Sequence, residues 1–115
     1  MELSSRVVLV TAGGSGIGLA IAHHFYERGD RLHICDIDQS AIDNAACEMS
    51  DATFTCADLT DTEQVDKVFR DLKETHGQLD ILINNVGVAG PAAAIEDILP
   101  TEWNDTIDVD LNSIF

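Results

Sequence analysis

The sequence predicts an α/β fold of the doubly wound type, a parallel sheet with helices on both faces, and three observations lead to it. The chain has 115 residues, 45% of them apolar and 23% charged, which is enough for one core and too little for two. Short β-branched apolar runs alternate with stretches whose apolar residues recur at helical spacing. Four such pairs follow one another, β-α-β-α-β-α-β-α, with no repeat, low-complexity tract or linker, so residues 1–115 read as one domain.

Each element has its own reason. Arg6 to Thr11 is a β-branched run bounded by glycine, suited to a strand buried on both faces. Ile17, Ile21 and Phe25 then recur at helical spacing, and Gly29 stops that helix. Arg31 to Asp36 reads as the second strand. Asp38 can cap the second helix, whose buried stripe is Ile42, Ala45, Ala46 and Met49. Ala52 to Cys56 is a shorter third strand. Thr60 and Glu63 have capping-box spacing, and Val65, Val68, Phe69 and Leu72 give the third helix its apolar face. Acidic residues at 61, 63, 66, 71 and 74 form its wet face, and Gly77 ends it. Leu79 to Asn84 is the fourth strand. A Gly- and Ala-rich loop with Pro91 leads to a last helix that starts near Thr101 and carries Trp103, Ile107, Leu111 and Ile114 inward.

Composition narrows the function. Six basic against 21 acidic residues give a charge of −15, which cannot supply the positive potential that nucleic acid or an anionic membrane demands. The N-terminus has an acidic second residue and a four-residue apolar run, and nothing reaches the length of a membrane span, so a cytoplasmic location is expected. Cys35, Cys47 and Cys56 are odd in number and lack CxxC spacing, which points to buried free thiols. His23 and His24 are adjacent and point about 100° apart on a helix, and His33 and His76 have no ligand-spaced neighbour, so no metal site is expected.

In a doubly wound sheet ligands gather outside the carboxyl ends of the strands, here residues 11–18, 36–37, 58–59 and 84–87. Thr11-Ala12-Gly13-Gly14-Ser15-Gly16-Ile17-Gly18 joins the first strand to the first helix. Glycines there let the backbone approach a pyrophosphate, and the helix N-terminus offers free N–H groups and a positive dipole end. No Gly-Lys-Ser/Thr follows, which argues against a P-loop. Asp36 closes the second strand eighteen positions after Gly18, near the spacing of about 20 at which an acid takes the ribose hydroxyls of NAD. Residues 12–18 and 36–41 hold no Lys or Arg to meet a 2′-phosphate, so NAD is expected over NADP. Asp58 has two readings, an acceptor for an adenine amino group or a turn residue before Thr60. Asn84 and Asn85 are poor strand formers whose amides can tie neighbouring strand ends together and meet the cofactor.

Taken with the Trp103–Phe115 helix, these motifs resemble the short-chain dehydrogenase/reductase family across the whole chain. The resemblance implies a Rossmann-like sheet, incomplete at about four strands, and reversible alcohol–carbonyl oxidoreduction with a nicotinamide cofactor. It implies cofactor contacts from Gly13, Gly14, Ser15, Gly16, Ile17 and Gly18, from Asp36 and Ile37, from Asp58 and Leu59, and from Asn85, Val86 and Gly87. Three positions depart from the family pattern. Ala12 stands where the first glycine is usual, and at positive φ it would cost about 1–2 kcal/mol unless Gly13 absorbs the turn. Val86 replaces an alanine, adding two carbons at about 1–3 kcal/mol unless the loop shifts. Asp110 replaces the active-site Asn, keeping its size, losing an amide donor and adding a charge.

The family's catalytic Ser and Tyr-x-x-x-Lys have no counterpart in this sequence, whose single tyrosine, Tyr26, lies in the first helix. Without an acid–base partner, worth about 10²–10⁴ in rate, no useful turnover is expected from the chain alone, and no catalytic residue is assigned. In the strand order 3-2-1-4-5-6 a chain ending here leaves strand 79–84 as an apolar edge, open to self-association or to a partner chain. The leading expectation is the cofactor-binding half of an NAD-dependent enzyme. One alternative is a non-catalytic nucleotide-binding or interaction module, motivated by Asp110 and the absent Tyr and Lys. Another is a methyltransferase, which also pairs a Gly-rich first turn with an acid after strand two, although Asn84-Asn85 and the Thr11 pattern weigh against it.

Overall fold

A computed structural model describes residues 6–88 and 90–115; Met1 to Ser5 and Ala89 of the Gly/Ala-rich loop lie outside the described residues. Four parallel strands form one sheet in the order β3-β2-β1-β4, with β1 at Val7–Thr11, β2 at Arg31–Asp36, β3 at Thr53–Cys56 and β4 at Ile81–Ile83. The helices between and after them are α1 (Gly16–Glu27), α2 (Gln39–Glu48), α3 (Thr62–His76) and α4 (Pro100–Asp110). The expected α/β architecture and its order of elements are therefore present. Every residue of β1 is buried, as a central strand covered on both faces requires.

The two faces carry separate cores. Val8, Val10, Leu32 and Ile34 pack with Ala22 of α1 and with Ala45 of α2 and Met49 just after it, while Leu9 and Cys35 pack with Val68 and Leu72 of α3. Alternate residues of β1 and β2 thus point to α1 and α2 on one side and to α3 on the other. β2 has the expected bounds, and the other three strands are shorter by their flanking residues, of which Arg6 and Asp80 still bond to the sheet. Just before β1, the Arg6 side chain pairs with the buried Asp30 through two bonds, at 3.1 and 2.9 Å, and the Asp80 carboxylate accepts the Val7 N–H at 2.8 Å. Leu79, Asp80 and Asn84 stand outside β4, and Ala52 outside β3.

Several helix faces differ from the sequence expectation. α1 turns Gly18 and Ala22 to the sheet, leaving Ile17 at its N-terminus 74% exposed. Phe69 of α3 is also exposed, although Val68 and Leu72 are buried as expected. α3 is capped by Asp61, whose carboxylate accepts the Glu63 N–H at 3.0 Å; Thr60 is drawn instead to Asp58, so the expected Thr60 cap is one residue early. Asp71 does not belong to a wet face, since it accepts a hydrogen bond from Thr55 of β3. α4 carries no buried residue: Trp103, Leu111 and Ile114 are exposed, and only Ile107 of the expected inward stripe is half-buried. The last turn, Asn112–Ile114, is 3-10 and no longer continues α4. Of the thiols, Cys35 is buried, Cys56 half-buried and Cys47 exposed, so buried thiols hold for Cys35 alone. Asp38 caps α2 as expected, accepting from the N–H groups of Ser40 and Ala41.

Candidate functional site

The site begins with one hydroxyl at the end of β1. Thr11 Oγ1 donates to the Ile83 carbonyl at 3.2 Å and accepts from the backbone N–H groups of Asn85 at 2.8 Å and Val86 at 3.3 Å. One proton and two lone pairs are all that a hydroxyl has, so this oxygen is saturated. Asn85 adds a second tie, its Nδ2 donating to the Ala12 carbonyl at 3.3 Å. The expected role of the Asn pair in joining strand ends thus falls to Asn85; Asn84 is exposed and makes no such bond among the described residues.

Two kinds of glycine occupy the β1–α1 turn. Gly13, Gly14 and Gly18 are buried and packed against protein: a Cβ would come within 2.7 Å of Ile34 Cγ2 at Gly13, 2.9 Å of Asp36 Oδ2 at Gly14 and 2.6 Å of Asn85 Nδ2 at Gly18. Gly16 is different, with a positive φ of 57° and nothing within 4 Å of its Cβ position. The first positive φ of the turn falls on Ala12, at 51°, and Gly13 does not absorb it. Its backbone strain of about 1–2 kcal/mol therefore sits at the end of β1. Ser15 precedes α1 in extended conformation without placing its side chain on the first-turn N–H groups, and that turn has no acid. Its N–H groups and positive dipole end remain open toward an anion.

Beside the turn lies a pocket of about 230 Å³ at the carboxyl ends of the strands. Asp36, Ile37, Asp58, Leu59, Val86 and Gly87 line it, so six of the expected residues converge although they come from three different strand ends. Gly13 to Gly18 and Asn85 form its neighbouring turn and do not line it; Ala12 does. Asp36 accepts the Gly14 N–H through Oδ2 at 2.9 Å and the Asp38 N–H through Oδ1 at 3.0 Å. Each carboxylate oxygen keeps a further lone pair for a hydroxyl donor. Asp58 Oδ1 accepts from both the N–H and the hydroxyl of Thr60, at 3.0 and 2.7 Å, which is the turn-residue reading of this side chain. Ile37 is 66% exposed, an apolar side chain standing at the mouth.

Sequence reasoning missed several wall residues. Ala57 and Val88 adjoin predicted ones, and the strand-end rule covers them once extended by a residue. Cys35 lines the floor, and burial pushes its thiol up to about 12, so it is a neutral apolar wall. Val109 and Ser113 reach the pocket from α4 and the turn after it, and no local signal marks them. Asp110 is placed by a bond of its own: its Oδ1 accepts the Val88 N–H at 2.6 Å, tying α4 to the loop after β4. An open glycine turn at a helix N-terminus, beside an apolar pocket rimmed by Asp36, fits the pyrophosphate and adenosine of a dinucleotide.

Comparison with known proteins agrees with this geometry. The short chain dehydrogenase family model matches residues 6–115. Short chain dehydrogenase/reductase dpchG of Colletotrichum higginsianum is 32% identical over 115 residues, which cover 96% of this chain and 43% of that protein. Among solved structures, a short chain dehydrogenase from Bacillus anthracis superimposes with a TM-score of 0.91 at 28% identity, over 97% of this chain and 48% of that one. A 3-ketoacyl-ACP reductase from Sinorhizobium meliloti gives 0.89 at 33% identity, over 96% and 45%. The chain spans less than half the length of these relatives. From the match over residues 6–115 and the shared fold, the chain belongs to the short-chain dehydrogenase family.

Proposed function

We propose that this chain is the dinucleotide-binding part of an alcohol–carbonyl oxidoreductase and that, of the two nicotinamide dinucleotides, it takes NAD. When bound, the dinucleotide supplies the hydride donor or acceptor. The chain's own residues would bind and orient it. The open turn at Gly16 and the first-turn N–H groups of α1 receive the pyrophosphate, with Ser15 and Ile17 beside it and Gly13, Gly14 and Gly18 giving the turn its shape. Asp36 takes the adenosine ribose hydroxyls, while Ile37, Leu59 and Val86 enclose the adenine and Asp58 closes the far wall. Asn85 and Gly87 hold the chain beneath the ligand.

The observation that carries the NAD reading is Asp36, fixed by the Gly14 and Asp38 N–H groups at the pocket wall, with no Lys or Arg in residues 12–18 or 36–41. A 2′-phosphate there would meet a carboxylate without a cation to offset it. Hydride transfer also needs an acid–base pair, and the family's Ser and Tyr-x-x-x-Lys are not among these residues, so the 115-residue chain is expected to bind and not to turn over. The edge at β4, where Leu82 is 43% exposed, is the surface at which a further strand or a second copy would pair.

Calorimetric titration with NAD and with NADP tests this. NAD should bind at least about tenfold more tightly, a difference of about 1.4 kcal/mol, and Asp36→Ala should remove that preference. Equal or tighter binding of NADP by the wild-type chain would reverse the assignment of Asp36.

A further inference from the structure

Charge in this chain is sorted along the strands. The segments that follow the carboxyl ends of β2, β3 and β4, residues 36–41, 57–66 and 84–115, hold twelve acidic side chains and no Lys or Arg. The turn after β1, residues 11–18, holds no charge of either sign. Asp36 and Asp58 line the pocket, while Asp66 and Asp108 line an adjoining cleft that shares Leu59, Thr60 and Ser113 with it. All six basic residues stand further back. Arg6 precedes β1, Arg28 follows α1 and Arg31 opens β2, each about 16–18 Å along its element from the pocket end. Lys67, Arg70 and Lys73 lie about 8–17 Å along α3 from its first residue. Arg6 is in addition paired with Asp30 at 2.9 Å.

A nicotinamide dinucleotide carries the same negative pyrophosphate in both redox states, and the oxidised ring alone adds a positive charge. Oxidised NAD is therefore less negative than NADH by one charge. The first-turn N–H groups and dipole of α1 act on the pyrophosphate, which the two forms share. The acidic strand ends act on the charge that differs. At about 10 Å in water one carboxylate changes the binding of a unit charge about twofold before screening. Twelve carboxylates at one end of the chain, with no cation among them, compound that factor. A Debye length of about 30 Å at 10 mM salt preserves most of the effect, and one of about 3 Å at 1 M removes it.

We propose that the acidic strand ends bias this site toward the oxidised dinucleotide, the form that accepts a hydride from an alcohol, and that ionic strength sets the size of the bias. The inference rests on the dinucleotide reading above and adds to it the redox form of the ligand. It requires no contact with the nicotinamide, because the interaction acts through solvent across the whole pocket end.

Calorimetric titration of the 115-residue chain with oxidised NAD and with NADH, in about 10 mM and about 1 M KCl at pH 7, reads the bias. The NADH dissociation constant divided by that of oxidised NAD should be at least about fivefold larger at the low salt than at the high. Taking this ratio cancels the effects of salt on folding and on the shared adenosine and pyrophosphate. Glu63→Gln, Asp66→Asn and Asp108→Asn together remove three exposed charges, and the amide oxygen at 108 still accepts the Asn112 bond. That variant should show a low-salt ratio about twofold smaller than wild type and an unchanged ratio at high salt. A wild-type ratio that stays level or rises with salt overturns the bias and leaves the dinucleotide reading standing. A variant with the wild-type ratio at low salt overturns the acidic field as its cause. Should the variant fail to fold, wild-type titrations at intermediate KCl concentrations decide: a ratio falling steadily as the Debye length shortens supports the bias, and one without that trend overturns it. Failure of both forms to bind at millimolar concentration at either salt overturns the dinucleotide reading and the bias with it.

Discussion

Gly18→Ala tests whether the β1–α1 turn is built on a close approach that no side chain can share. A Cβ at this position would stand 2.6 Å from Asn85 Nδ2 and 2.9 Å from the Ala12 carbonyl carbon, with the Ala12 carbonyl oxygen nearer still. Ordinary carbon contacts begin near 3.5 Å, so about 0.5–1 Å must come from moving backbone, since the Ala12 atoms have no rotamer to change. Overpacking of this kind costs about 1–3 kcal/mol. Loss of the Asn85–Ala12 bond adds about 0.5–1.5 kcal/mol. The sum, about 2–4 kcal/mol, is a large share of the 5–15 kcal/mol by which a domain is usually stable. Urea unfolding should therefore show a midpoint lowered by roughly 1–3 M at unchanged slope. A midpoint within about 0.3 M of wild type would show that the Ala12–Asn85 clasp yields freely, and the packing reason for this glycine would be refuted.

Three further outcomes are expected. Thr11→Val keeps the shape of the side chain but leaves the Asn85 and Val86 N–H groups without their acceptor, a loss of about 1–3 kcal/mol that Thr11→Ser should largely restore; equal unfolding midpoints for the two variants would contradict it. Ala12→Gly relieves a positive φ worth about 1–2 kcal/mol against about 0.4–1 kcal/mol of added chain entropy, so thermal or urea unfolding should show a net gain near 0.5 kcal/mol, and a clear loss would deny the strain. His33 is held near 4 in the folded chain, by its burial first and by His76 second, and unfolded chains take up the proton first as pH falls through about 6.5. Stability from this residue is thus complete above about pH 6.5 and declines by about 3 kcal/mol down to about pH 4. Urea titrations of wild type and H33L across that range should diverge in this direction; parallel curves would contradict it.

How much was legible in the sequence depended on the range of the interaction. β2 fell on Arg31–Asp36 as expected, and Asp38 caps α2, because a buried strand and a cap are both decided within a few residues. Asp36, Asp58 and Val86 converge on one pocket because parallel strands bring their carboxyl ends to the same edge. Helical spacing, by contrast, says which residues share a face and not what that face meets. The stripe of Trp103, Leu111 and Ile114 was legible as a stripe, yet α4 and the 3-10 turn after it leave these residues exposed. Asp71 reads as a solvated charge by composition, and only the fold brings Thr55 against it. Ala12 is the converse: the missing glycine was visible, but where the turn would place its positive φ depended on how Gly13 packs against Ile34.

The bonds at Thr11 have a consequence for how the chain assembles. β1 can pair with β2 as soon as a segment of 24 residues closes, the separation of Arg6 and Asp30, whereas the Asn85 N–H reaches Thr11 across 74. Closing the longer loop costs about 1 kcal/mol more in chain entropy. During synthesis the first three strands and both cores can therefore form while the Thr11 hydroxyl still lacks its partners. Ligand binding would then come after the first three strands, once residues 83–86 and then Val109 and Ser113 arrive beside a strand made long before them.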